Sequence, residues 1–98
     1  MPTIEQPIRI AEFDRLFADG VLAVHRPGPV RLELALDPVF EPVARDLADR
    51  ESSCCQFFTF DFLTPEDRVV MVVGVPAAYV EVLDAFAARV DAARGGDR

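Results

Sequence analysis

Lysine is absent from this 98-residue chain: all ten basic residues are arginine, set against 17 acidic ones, for a formal charge of −7. An acidic domain repels phosphate backbones, and no basic stripe gathers locally, so the chain is not expected to bind DNA or RNA. No apolar run approaches the ~18–20 residues of a membrane-spanning helix. Met1 to Gln6 carries neither the basic region nor the apolar core of a secretory signal. A cytoplasmic location with no membrane partner is therefore the expectation. Cysteine is scarce, with two adjacent residues, Cys54 and Cys55. A disulfide between neighbours closes a strained ring, so reduced thiols in a reducing compartment are expected. The single histidine, His25, has no serine placed beside it, which argues against a Ser/His/Asp set. Gly28 and Gly74 are isolated, which argues against a glycine-rich phosphate loop. Missing lysine together with abundant Ala, Arg, Asp and Val points, through codon usage, to a GC-rich bacterial genome.

What is present describes one ordered domain. Hydrophobic residues make up 51% of the chain and charged ones 28%, enough apolar surface for a core without disulfide or metal staples. Residues 1–8, with Pro2 and Pro7, suggest an extended lead-in. Ile10, Phe13, Leu16 and Phe17 recur at helical spacing and predict a helix over about 9–19, stopped by Gly20. Residues 21–26 and 30–36 predict a hairpin around Pro27-Gly28-Pro29, the second run alternating Val30, Leu32, Leu34, Leu36 against Arg31 and Glu33. A second helix is expected from 39–41 to about 54, with Pro42 in its first turn. Phe58, Phe60 and Phe62 alternate with Thr59 and Asp61 in a strand over 56–63, and a valine-rich strand follows over 68–75. Pro76 opens a last helix with Tyr79, Val82, Leu83, Phe86 and Val90 on its apolar stripe, and 95–98 are tail.

The order α-ββα-ββα predicts an α+β two-layer sandwich over 9–94, a four-stranded mixed sheet with helices on one face. Arg31, Glu33, Thr59 and Asp61 belong on the open face. A free face or edge on so small a domain suggests a homodimer.

The stretch from Glu51 to Phe60 concentrates the interest. On a helix, Glu51, Cys54 and Cys55 occupy i, i+3 and i+4 and share a ridge. Phe40, Val43 and Leu47 point the same ridge at the sheet, so Glu51 stands where an apolar residue would be usual. Three readings follow. The cysteines can be small hydrophobes packed at a helix–strand junction, with Glu51 paired to Arg31 or Arg68. They can be soft-metal or metalloid ligands for mercury, arsenite, Cu(I) or zinc, completed by Glu51, by His25 or by a second subunit. Or one can be a redox or catalytic nucleophile. A helix C-terminus and a nearby carboxylate raise a thiol pKa and favour a cation, and Arg50 offsets only part of this, so metal binding ranks above thiol catalysis. His25, beside the Pro27 turn, has the setting of a surface residue. No catalytic residue and no organic cofactor is expected, and the chain leans towards a non-enzymatic binding or sensing module.

At Glu51-x-x-Cys54-Cys55-x-Phe57-Phe58-x-Phe60, followed by the valine-rich strand and final helix, the chain resembles a small, largely unassigned bacterial group. Its members carry a Glu-x-x-Cys-Cys-x-Phe-[Phe/Leu]-x-Phe core, and occur alone and as the C-terminal part of some MerR-type regulators of heavy-metal response. The resemblance spans about residues 37–93. It implies a metal- or metalloid-linked role for Cys54 and Cys55 and includes Glu51 in the site. With no DNA-binding helix-turn-helix in this chain, the regulator activity is not implied.

Overall fold

A computed structural model describes residues 5–54 and 57–94, with side chains described for 11–53 and 57–94. Its elements run α1 (Glu5–Gly20), β1 (Val21–Gly28), β2 (Arg31–Leu36), α2 (Glu41–Cys54), β3 (Thr59–Leu63), β4 (Val69–Gly74) and α3 (Val80–Ala93). Short 3-10 turns precede α2 (Pro38–Phe40) and α3 (Ala77–Tyr79). The expected order, α-ββα-ββα, is the observed one, and the helices pack on one face of a four-stranded sheet.

The sheet is antiparallel throughout, not mixed. Its order is β1-β2-β4-β3, and β4 pairs antiparallel with both β2 and β3. The crossover through α2 does lay β3 parallel to β2, but one place further out. The hairpin partner β4 then folds back into the gap, so the two parallel strands never touch. An α-helical crossover guarantees relative direction, not adjacency.

The elements start and stop for local reasons. α1 begins at Glu5, earlier than the period suggests, with Pro7 in the first turn where its missing N–H costs nothing. Its end is fixed by a close approach: a Cβ on Gly20 would stand 2.8 Å from Cδ2 of Phe40. The Asp37 N–H donates to the Gly20 carbonyl at 2.8 Å, joining the start of β1 to the end of β2. The Asp37 carboxylate then accepts from the Val39 N–H at 3.1 Å and caps the 3-10 turn that leads into α2. Pro27 is accommodated because β1 is an edge strand. In the second hairpin the bonded turn is Arg68 N–H to Pro65 carbonyl at 3.0 Å, so Pro65 takes the first turn position. Gln56, residues 1–4 of the lead-in and the tail 95–98 lie outside the described residues.

The core lies between sheet and helices. Leu32, Leu34, Leu36, Val69, Met71 and Val73 supply the sheet side; Leu16, Phe17, Ala44, Leu47, Leu83 and Val90 supply the helical side. Val43 is not among them: it is 48% exposed, and the buried ridge of α2 runs Ala44, Leu47, Ala48. The buried ridge is thus rotated from the expected one, with Ala44 and Ala48 on the core side and Val43 towards solvent. Charged side chains tie the layers at their margins. Arg50 of α2 reaches Glu12 of α1, Arg89 of α3 forks onto Asp14 of α1 at 2.7 and 3.1 Å, and Arg26 of β1 meets Asp84 of α3 at 2.7 Å. No helix among the described residues is long and apolar enough to cross a membrane.

Candidate functional site

α2 is held from its first turn, where Glu41 accepts from Arg45 one turn later at 2.8 Å. Arg45 also lies over the Phe62 ring, 4.5 Å from its centroid, fastening the helix to edge strand β3. Counting along the buried ridge from Leu47, the next position is Glu51. It is part-buried, as a carboxylate at a core-facing position near a helix end must be if its head is to stay solvated.

Glu51 lines an open cavity of about 280 Å³ to which all three helices and the approach to β3 contribute residues. α1 contributes Phe13 and Phe17, the residue before β3 contributes Phe58, and α3 contributes Val82, Ala85 and Phe86, with Arg89 at the margin. Phe86 is the hub of the wall. Its ring centroid is 5.3 Å from that of Phe17 and 5.9 Å from that of Phe13, both edge-on, and 5.6 Å from that of Phe58. Beyond Phe58, the Phe57 ring lies 4.9 Å from it and 4.4 Å from Tyr79, extending the aromatic surface towards the start of α3. Glu51 and Arg89 are the charged residues of the lining. Arg89 is held in the two-bond fork on Asp14. Arg50 is shared by Glu12 and Asp46; the hydrogen bond to Glu12, more than any other influence, raises its pKa above the ordinary arginine value and keeps it charged.

The last turn of α2 carries no basic residue. Its free carbonyls leave a partial negative charge there. Cys54 closes that helix, but its side chain and the whole of Cys55 lie outside the described residues. Among the described residues no three His, Cys, Asp or Glu side chains gather as a metal site. His25 is not brought to Glu51 within one chain. It pairs with Glu33 on edge strand β1, is exposed, and lies on the side of the sheet away from the helices. β1 and β3 are opposite edges, three strand spacings or about 14 Å apart. Arg31, one of two partners considered for Glu51, is bonded to Glu33 at 2.8 Å.

The aromatic cavity was not foreseen from sequence. Phe13, Phe17 and Phe86 were each visible as stripe positions, but periodicity reports which side of a helix is buried, not whether facing rings fill the space between them. The signal available was the concentration of rings, against small Ala85, on elements that must meet. No protein-family model matches the chain, and comparison with curated proteins and with solved structures gave no match.

Proposed function

We propose that this is a small cytosolic, non-enzymatic binding protein that takes a soft metal or metalloid ion through Cys54 and Cys55, with Glu51 as an oxygen donor. The observation that carries this reading is the position of Glu51: part-buried on the core ridge of α2, one turn before the helix ends at Cys54. A carboxylate on the helix turn that leads to two thiols is an oxygen donor suited to complete a thiolate site for a cation. The electrostatics favour a cation over a nucleophile. A helix C-terminus is the negative end of the helix and favours a cation, and Arg50 of α2 already serves two carboxylates. The resemblance of the Glu51–Phe60 motif to proteins of heavy-metal response supports the same chemistry. His25 would join such a site only from a second copy, and a homodimer through the open sheet face or the edge strands is part of the proposal.

Titration of the reduced protein with Hg(II), Zn(II) and arsenite, followed by thiolate-to-metal absorption, tests the reading. Binding that is lost in Cys54→Ser/Cys55→Ser is the expected result. Equal binding by that double variant would overturn it and leave the cysteines as packing residues.

A further inference from the structure

We infer that the outer face of the sheet is closed by the same face of a second copy, the two sheets related by a two-fold axis that runs along the strands between β2 and β4. The inference rests on the homodimer part of the reading above, choosing the face over the edges, and does not depend on the metal part.

The edges are poor seams. β1 has register shifts between Val21 and Ala23 and between His25 and Gly28, and it carries Pro27. Both features blunt an edge against pairing. β3 has Asp61 at the centre of its five residues. Two such edges joined about a two-fold through their centre set Asp61 against Asp61, a like-charge pair that destabilises a ladder.

The face, by contrast, is complementary to itself. From β1 to β3 its rows are Ala23–Ala35–Val70–Leu63, His25–Glu33–Val72–Asp61 and Gly28–Arg31–Gly74–Thr59. A two-fold along the strands turns each row end for end over its copy. Ala23 then covers Leu63, which its own chain leaves 49% exposed, and Ala35 covers Val70. Arg31 comes to lie over Gly74, where a hollow of about 450 Å³ is walled by Phe57, Thr59 and Asp61. Asp61 of the copy it enters is one strand and one row away, a diagonal of about 8 Å that an arginine spans. His25 lies over Asp61. The two-fold across the strands instead stacks Glu33 on Glu33 and Asp61 on Asp61. In the favoured pair, Glu33 and Asp61 of both copies make four carboxylates against two Arg31 guanidiniums, and the two His25 rings close the balance when protonated.

Four strands at ~4.8 Å and three rows at ~6.6 Å make a patch of about 19 by 20 Å, so the pair falls below the ~1,200 Å² of a standard interface. It is a weak dimer of concentrated protein, and dilute protein is monomeric.

The test is NMR on the full reduced chain, diluted from about 1 mM to about 20 μM near pH 6 and near pH 8, with a mixed labelled and unlabelled sample to find contacts between copies. Concentration-dependent shifts on all four strands, with contacts between copies from Ala23 to Leu63 and from Ala35 to Val70, are the expected result. Association should be several-fold tighter at the lower pH, and His25→Gln should remove that gain. Ala35→Arg, which puts a long side chain under Val70 of the other copy, should weaken association about tenfold or more with the helix signals unchanged. Contacts between copies from Ala35 to Arg31 would turn the axis across the strands, and shifts confined to β1 or β3 would move the seam to an edge. Either result overturns the inference and leaves the homodimer standing; equal association at the two pH values takes His25 off Asp61 and overturns the axis too. No association at the highest concentration overturns the homodimer part of the reading as well, while the metal part answers only to the titration above.

Discussion

The two faces of the sheet are made from the same four strands and treat side chains in opposite ways. On the helix side Leu32, Leu34, Met71 and Val73 are wholly buried. On the other side the paired rows read His25–Glu33–Val72–Asp61 and Gly28–Arg31–Gly74–Thr59, and the end residues His25, Asp61 and Thr59 are exposed. Yet Val72, in the middle of the open face, is only 6% exposed. No second layer covers it among the described residues; its neighbours on β2 and β3 do. Burial by a packed layer and burial by flanking strands differ in what they contribute. The first removes apolar surface on all sides into close-packed contact. The second leaves the side chain's tip near water, able to relax when trimmed.

That difference predicts the largest effect. Leu34→Ala should lose roughly 2–5 kcal/mol of stability by denaturant unfolding, the transfer and cavity cost of a core leucine. Val72→Ala, although also buried by area, should lose no more than about 1 kcal/mol, because the open face can close over it. Equal losses would mean that something covers the outer face in solution. A second copy would reveal itself by making the Val72→Ala loss depend on protein concentration.

A middle-sized effect is expected where the outer face is tightest. A Cβ on Gly74 would stand 2.7 Å from Oγ1 of Thr59, its cross-strand partner on β3. Gly74→Ala should therefore cost about 1–2 kcal/mol. Most of that should be recovered in Gly74→Ala/Thr59→Ala, where the obstructing hydroxyl is gone. Strict additivity of the two substitutions in unfolding measurements would show that the strain lies elsewhere in β4.

The same contrast explains what could be read before the structure. β2 and β3 alternate apolar with polar residues, so Arg31, Glu33, Thr59 and Asp61 announced the open face and Leu32, Leu34 and Phe58 the closed one. β4 does not alternate: Val69, Val70, Met71, Val72 and Val73 carry no facing signal, and only pairing on both edges accounts for them. Strand direction followed from hairpins and crossovers, whereas strand adjacency did not, since inserting β4 between β2 and β3 leaves no mark on local pattern. For the site, Glu51 was conspicuous as a carboxylate on an apolar ridge. The phenylalanine hollow beside it arises from how three helices meet, which no single period encodes.

The smallest expected effect concerns the ion pair on the open face. Arg31 donates to Glu33 two residues away on the same strand at 2.8 Å, and the arginine side chain is 51% exposed. Solvent screens such a pair, and ordering two long side chains offsets much of its attraction, so pairs of this kind contribute about 0.2–1 kcal/mol. Glu33→Gln should accordingly shift the unfolding free energy by less than about 1 kcal/mol at low salt, and by still less at ~1 M salt, where screening acts within ~3 Å. A larger, salt-resistant loss would place Arg31 and Glu33 in a water-poor setting. That outcome would agree with a Val72→Ala cost near that of Leu34→Ala, and would make the outer face a second buried face of the protein in solution.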